Sequence, residues 1–101
     1  MRILFLGDVV GITGCLKIQN NLLDQIKKKK IDFVIVNAEN AAEEGVGLTK
    51  EICEDFFKSG VNVITTGNHV WDQKEIMNFI DKENRLLRPK NLFEPAPGNG
   101  F

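Results

Sequence analysis

Three short apolar runs, each closed by a polar or glycine-containing turn, recur along this chain of 101 residues. They cover residues 2–6, 31–37 and 61–65. Their lengths suit β-strands, and the continuous apolar core of residues 33–36 suits a strand covered on both faces of a sheet. The sequence therefore predicts three buried strands.

Amphipathic segments separate these runs and have the periodicity of helices. We predict helices over residues 14–29, 49–60 and 73–80. The second begins at a threonine, a good N-cap residue, and ends at a glycine, a common C-terminal stop. Asp72 and Glu75 have the spacing of a capping box, which favours the start of the third helix there.

Strands and helices thus alternate as β-α-β-α-β-α, the pattern of an α/β fold with a parallel sheet and helical crossovers. Residues 1–101 are enough for one domain at most. Residues 85–101 are rich in proline and glycine and are predicted to form a loop. Because three strands followed by a loop leave a sheet edge unpaired, we interpret the chain as a single partial domain.

Composition excludes several other classes of protein. The formal net charge of −1 gives no reason to expect a nucleic-acid partner. No apolar run approaches the roughly 20 residues of a membrane span, and the N-terminus has no signal-peptide pattern. Cys15 and Cys53 lack the spacing of a metal site and are interpreted as reduced thiols. We therefore expect a cytoplasmic protein without a membrane partner.

Polar side chains follow all three predicted strands. Asp8 comes after the first, Glu39 and Asn40 after the second, and Asn68 and His69 after the third. Ligands of open parallel sheets bind outside the carboxyl ends of the strands, so these side chains are expected to meet. An oxygen-rich set suits a hard divalent ion such as Mg²⁺ or Mn²⁺. His69 is next to a predicted ligand, and its imidazole is a side chain suited to proton transfer.

Each of these residues also has an ordinary structural interpretation. Asp8 taken alone is as well explained as a helix cap, and Glu39-Asn40 as loop polarity. A lone histidine is more often a hydrogen-bonded residue than a catalyst. The repetition at three strand ends is what favours a site.

A nucleotide-binding turn is a rival interpretation of the first strand end. Gly7, Gly11 and Gly14 follow a strand and open a helix, as in a Rossmann-like module. Their spacing is not G-x-G-x-x-G, and Asp8 would bring a negative charge to the place of a pyrophosphate. We rank this interpretation well below the metal site.

Four stretches carry a resemblance to a known family: "GDVVG" at 7–11, "NAENAAEEGVGLT" at 37–49, "GVNVITTGNHVWD" at 60–72 and "RLLRPKNLFEPAPGNG" at 85–100. They resemble the N-terminal region of the bacterial YmdB-like family of calcineurin-type metallophosphoesterases. The resemblance covers essentially the whole chain. It implies the N-terminal half of a metallophosphoesterase sandwich that hydrolyses phosphodiesters, with cyclic nucleotides as substrates.

The resemblance also implies roles for the strand-end residues in a binuclear centre of Mn, Fe or Mg. Asp8 would bind one metal, Glu39 would bridge both, Asn40 would complete the first metal's ligands from this region, and Asn68 would bind the second. His69 would be the general acid that protonates the leaving oxygen.

The chain departs from the family pattern in its length. Family members continue further and supply histidine ligands from later segments, whereas this chain has no histidine after His69. Two metals would therefore share too few ligands, and we expect weak metal binding and little or no activity. The alternative is a non-catalytic module that self-associates through its exposed sheet edge.

Overall fold

The computed structural model describes residues 1–101 and alternates strands with helices as predicted. The elements are β1 (Ile3–Leu6), α1 (Gly11–Lys29), β2 (Phe33–Asn37), α2 (Lys50–Lys58), β3 (Val63–Thr65), two short 3₁₀ helices (Lys74–Asn78 and Ile80–Lys82) and β4 (Leu86–Leu87). No helix is long and apolar enough to cross a membrane.

The four strands form one parallel sheet in the order β1-β2-β3-β4. The α/β fold class predicted from the sequence is confirmed. The strands follow one another across the sheet in chain order. Right-handed connections between such strands place their helices on the same side, so α1 and α2 share one face of the sheet. The core lies between them and that face, where Val34, Val36 and Ile64 are buried.

The opposite face of the sheet is open. Ile3 and Phe5 of β1 are 57% and 59% exposed, and the alternate residues of β2, Phe33 and Ile35, are partly exposed. The expectation that β2 is covered on both faces is therefore wrong for this chain. Alternate residues of β2 face the core, and the others belong to the open apolar face of the sheet.

The third predicted helix, over 73–80, is replaced by the two 3₁₀ helices. The residues of the proposed capping box have other partners. Asp72 accepts a hydrogen bond from His69, and Glu75 accepts one from the backbone N–H of Lys50 at 2.8 Å. Since neither caps its own segment, the α-helix start inferred from their spacing does not form.

The segment predicted to be a loop contains a fourth strand. Leu86 and Leu87 pair with Ile64 and Thr65 of β3, so the edge expected at β3 is covered. Beyond the strand, the guanidinium of Arg88 is buried and donates to carbonyl oxygens of Pro89, Pro97 and Gly98. These bonds hold the tail against the sheet although it has little regular structure.

Candidate functional site

The loops after β1 and β2 are joined along their backbones. The N–H of Val9 donates to the carbonyl of Asn37 at 3.1 Å, and that of Gly11 donates to Asn40 at 2.9 Å. Asp8 lies between these bonds with a φ of 48°, a left-handed conformation uncommon for residues other than glycine. This geometry brings the side chains of Asp8 and Asn40 together, with Asn40 Nδ2 donating to Asp8 Oδ1 at 2.7 Å.

The other end of the Asn40 amide has no partner. Its Oδ1 is buried and accepts no hydrogen bond, as is the case for Oδ1 of Asn37. Buried polar atoms are rarely left in this state, since losing water without a replacement is costly. An acceptor oxygen held beside the Asp8 carboxylate has the chemistry of a cation ligand.

The Glu39 carboxylate lies at the end of β3. It accepts a hydrogen bond from the backbone N–H of His69 at 3.3 Å and lies directly over Gly67. A side chain at position 67 would occupy the place of both Glu39 oxygens. Glycine at position 67 therefore leaves the space that the Glu39 carboxylate occupies, which the sequence alone did not indicate.

His69 is held by Asp72. Its Nδ1 is 2.7 Å from Asp72 Oδ2, and the two side chains are 36% and 39% exposed. An ionised carboxylate only accepts hydrogen bonds, so Nδ1 carries the proton and Nε2 is left without a partner in the chain. Asp72 is a site residue that sequence reasoning missed. Its spacing of three from His69 was a usable signal, but it was assigned to a capping box.

The predicted site residues are thus brought together in pairs. Asp8 is hydrogen-bonded to Asn40, and Glu39 to the backbone of His69, whereas the side chain of Asn68, an exposed residue, forms no hydrogen bond with them. No group of three or more histidine, cysteine, aspartate or glutamate side chains is placed to hold a metal ion. Half of the predicted ligands are asparagines, and the metal site stays a prediction.

The chain resembles known proteins in both sequence and structure. Residues 4–101 match the family model described as "YmdB-like protein". A Bacillus subtilis protein named 2′,3′-cyclic-nucleotide 2′-phosphodiesterase is 48% identical over all 101 residues.

Two crystal structures superpose closely on the chain. A hypothetical protein from Thermus thermophilus has a TM-score of 0.90 at 38% identity over 100% of this chain. A novel phosphatase from Mycoplasma pneumoniae has a TM-score of 0.86 at 41% identity over 97% of it.

The chain is much shorter than these proteins. It spans 38% of the Bacillus subtilis relative, 38% of the Thermus thermophilus structure and 36% of the Mycoplasma pneumoniae structure. The matching part is the region that carries β1 to β4 and the strand-end residues.

Proposed function

This chain belongs to the YmdB-like protein family, and we propose that it provides the N-terminal part of a metal-dependent phosphodiesterase site. Cyclic nucleotides are the proposed substrate class, as suggested by the name of the Bacillus subtilis relative. The proposal rests on this kinship together with the polar groups at the carboxyl ends of three adjacent strands.

The observation that supports it most directly is the pair of Asp8 and Asn40. Nδ2 of Asn40 is bound to the Asp8 carboxylate, and Oδ1 of the same amide is buried without a partner. Carboxylate and amide oxygens suit Mn²⁺, Mg²⁺ or Fe²⁺. Glu39 and Asn68 would supply further oxygens to a binuclear centre. Divalent ions bound there would neutralise charge on the phosphoryl group of a substrate.

His69 is the proposed general acid. Asp72 fixes the imidazole through Nδ1, so that Nε2 is free to face a leaving oxygen. In the protonated ring Nε2 carries the hydrogen that the departing alkoxide needs, and loss of this hydrogen returns the neutral form that Asp72 still orients. Asp72 is therefore a positioning residue for the proton donor.

Metal binding by this chain is tested by adding Mn²⁺ while recording backbone amide NMR signals. We expect weak binding, with paramagnetic broadening first at residues 8, 39, 40 and 68. Asp8→Asn should remove this pattern, whereas Asp24→Asn, which changes an exposed carboxylate on α1, should retain it. Broadening spread evenly over surface carboxylates would contradict the proposed site.

Catalysis is tested with bis-p-nitrophenyl phosphate in the presence of Mn²⁺. We expect hydrolysis by the 101-residue chain near background, because its ligand set is small for two metals. Strong hydrolysis that disappears in His69→Ala would show that these residues suffice for a working centre. Strong hydrolysis that survives His69→Ala would contradict the assigned role of His69.

A further inference from the structure

We propose that two copies of this chain associate by antiparallel pairing of their α1 helices. One face of α1 is apolar and uncovered, with Ile12, Leu16 and Leu23 being 50%, 48% and 53% exposed. Gln19, which is polar, and Ile26, which is partly buried against the core, complete a spacing of four, three, four and three residues. This is the repeat of helices that pack lengthwise against each other. These five residues are called the α1 seam.

The α1 seam borders a groove between the two helices. The groove has a volume of about 400 Å³, and Ile12, Leu16 and Gln19 line it together with residues of α2. At the other end of the seam, a Cβ atom added at Gly60 would lie 2.9 Å from Ile26. The seam therefore runs along the edge of α1 that borders α2, where Ile12, Leu16 and Leu23 stay about half exposed.

The two ends of the α1 seam carry opposite charge. Four acidic residues line the groove that the N-terminal half of the seam borders: Glu43, Glu44, Glu51 and Asp55. Glu44 also accepts a hydrogen bond from Nε2 of Gln73 at 3.2 Å. The C-terminal end carries the run 27–30, which is entirely lysine. When two such seams pair in antiparallel orientation, the acidic end of each faces the basic end of the other.

Two of the four lysines are placed for such contacts. Lys27 follows Leu23 by four residues and so shares its face of the helix. Lys30 is the left-handed C-cap residue directly after the last turn of α1. Neither forms an ion pair within the chain, whereas Lys28 is bound to Asp24 at 2.8 Å. The basic end thus presents two lysines without ion-pair partners at the C-terminal end of the seam.

If a two-fold axis passes between the Gln19 residues of two antiparallel α1 helices, the apolar residues and the charged ends are matched together. Leu16 of one copy then faces Leu23 of the other, and Ile12 faces Ile26. Lys27 and Lys30 reach the acidic end of the opposite helix, and the same contact recurs at the other end. A two-fold pairing closes on itself and gives a dimer rather than a filament. Parallel pairing would place lysines against lysines.

A second copy of the chain carries an acidic end and a basic end separated by the same distance as those of the first copy. A basic peptide would meet the acidic end but leave the lysines unpaired. A pair of single helices buries less than the roughly 1,200 Å² of a standard interface, so the dimer is expected to be weak and concentration-dependent. It should weaken further with added salt, because the end contacts are between exposed charges.

Sedimentation equilibrium over a wide concentration range tests the proposal. Reversing the basic end (Lys27→Glu with Lys30→Glu) or the acidic end (Glu43→Lys with Glu44→Lys) should weaken dimerisation about tenfold or more. An equimolar mixture of these two variants should restore it, since a mixed dimer has opposite charges at both ends. Circular dichroism and thermal unfolding confirm that each variant is folded.

The matched control is Lys28→Glu with Lys29→Glu, which changes net charge by the same amount on faces of α1 away from the seam. It should leave the dimer unchanged. A monomer at all concentrations would overturn the proposal. So would a dimer that ignores all charge reversals but is lost in Phe5→Lys, because it would form through the open face of the sheet.

Discussion

Nδ1 of His69 and Oδ2 of Asp72 are joined by a 2.7 Å hydrogen bond across one turn of chain after β3. The bond selects the ring tautomer and leaves Nε2 without a hydrogen-bond partner in the chain. Asp72 thus bonds to His69 and does not cap the segment that follows it.

Asp72→Ala should release the His69 ring while leaving the fold intact, because both side chains are more than one third exposed. In the unaltered chain the Nδ1 proton should be protected from exchange and visible by ¹⁵N NMR at low temperature. We expect the signal to vanish in Asp72→Ala and to persist in Asp24→Ala. A signal that survives Asp72→Ala would mean that another group holds the ring.

Gly67→Ala should displace Glu39, because the new methyl group would overlap both carboxylate oxygens. We expect Mn²⁺-dependent broadening at residue 39 to disappear. Gly7→Ala is the matched control at a neighbouring strand end, since its Cβ would lie 3.5 Å from the Phe5 ring, an ordinary contact. Equal broadening at residue 39 in both variants would contradict a role for Glu39 in metal binding.

Phe56→Ala should lower the free energy of unfolding by about 3–5 kcal/mol, because this fully buried ring of α2 leaves a cavity when removed. Phe93→Ala makes the same chemical change at a ring that is 95% exposed and should cost almost nothing. Denaturant unfolding measures both. Similar losses in the two variants would show that the core is not centred where α2 meets the sheet.

Cys53 should make stability fall at alkaline pH. Burial, reinforced by the Glu83 carboxylate, raises the pKa of this thiol from 9.0 to about 12. The folded state therefore holds the proton more tightly than the unfolded state, and the associated stability is present below pH 9 and lost as pH rises toward 12.

The loss should reach up to about 2 kcal/mol near pH 10.5. Unfolding free energies of the unaltered chain and Cys53→Ala are compared at pH 8 and at this higher pH. The difference between the two pH values should be smaller in Cys53→Ala, and a cavity penalty cancels in that comparison. Identical pH dependence would show that Cys53 ionises as readily folded as unfolded.

Much of the architecture was accessible from local patterns. Thr49 caps α2 as expected, with its Oγ1 accepting a hydrogen bond from the N–H of Ile52 at 3.3 Å. The start of α1 was placed three residues too late, at Gly14 rather than Gly11, because its first turn is held by the carbonyl of Asn40. That contact joins distant parts of the chain and leaves no local signal.

Part of the candidate site could likewise be predicted from the sequence, and part could not. The polar residues at the strand ends could be found from the sequence, since β-α-β connections bring these ends to one edge of the sheet. The contact between Asp8 and Asn40 and the place of Glu39 over Gly67 could not be found. They depend on how separate loops pack, and residue spacing carries no information about that.

The sequence by itself determined the order of the first three strands and of the two α-helices between them, and the edge of the sheet at which the polar residues lie. Hydrophobic periodicity and the handedness of parallel crossovers act within short segments and are sufficient for this. Only the tertiary structure decided that Leu86 and Leu87 form a fourth strand, that one sheet face stays open, and that Asp72 serves His69. Each of these outcomes depends on a choice between alternative partners. The partners are either far apart in the sequence or, as for Asp72, at the same spacing on either side, so only packing selects among them.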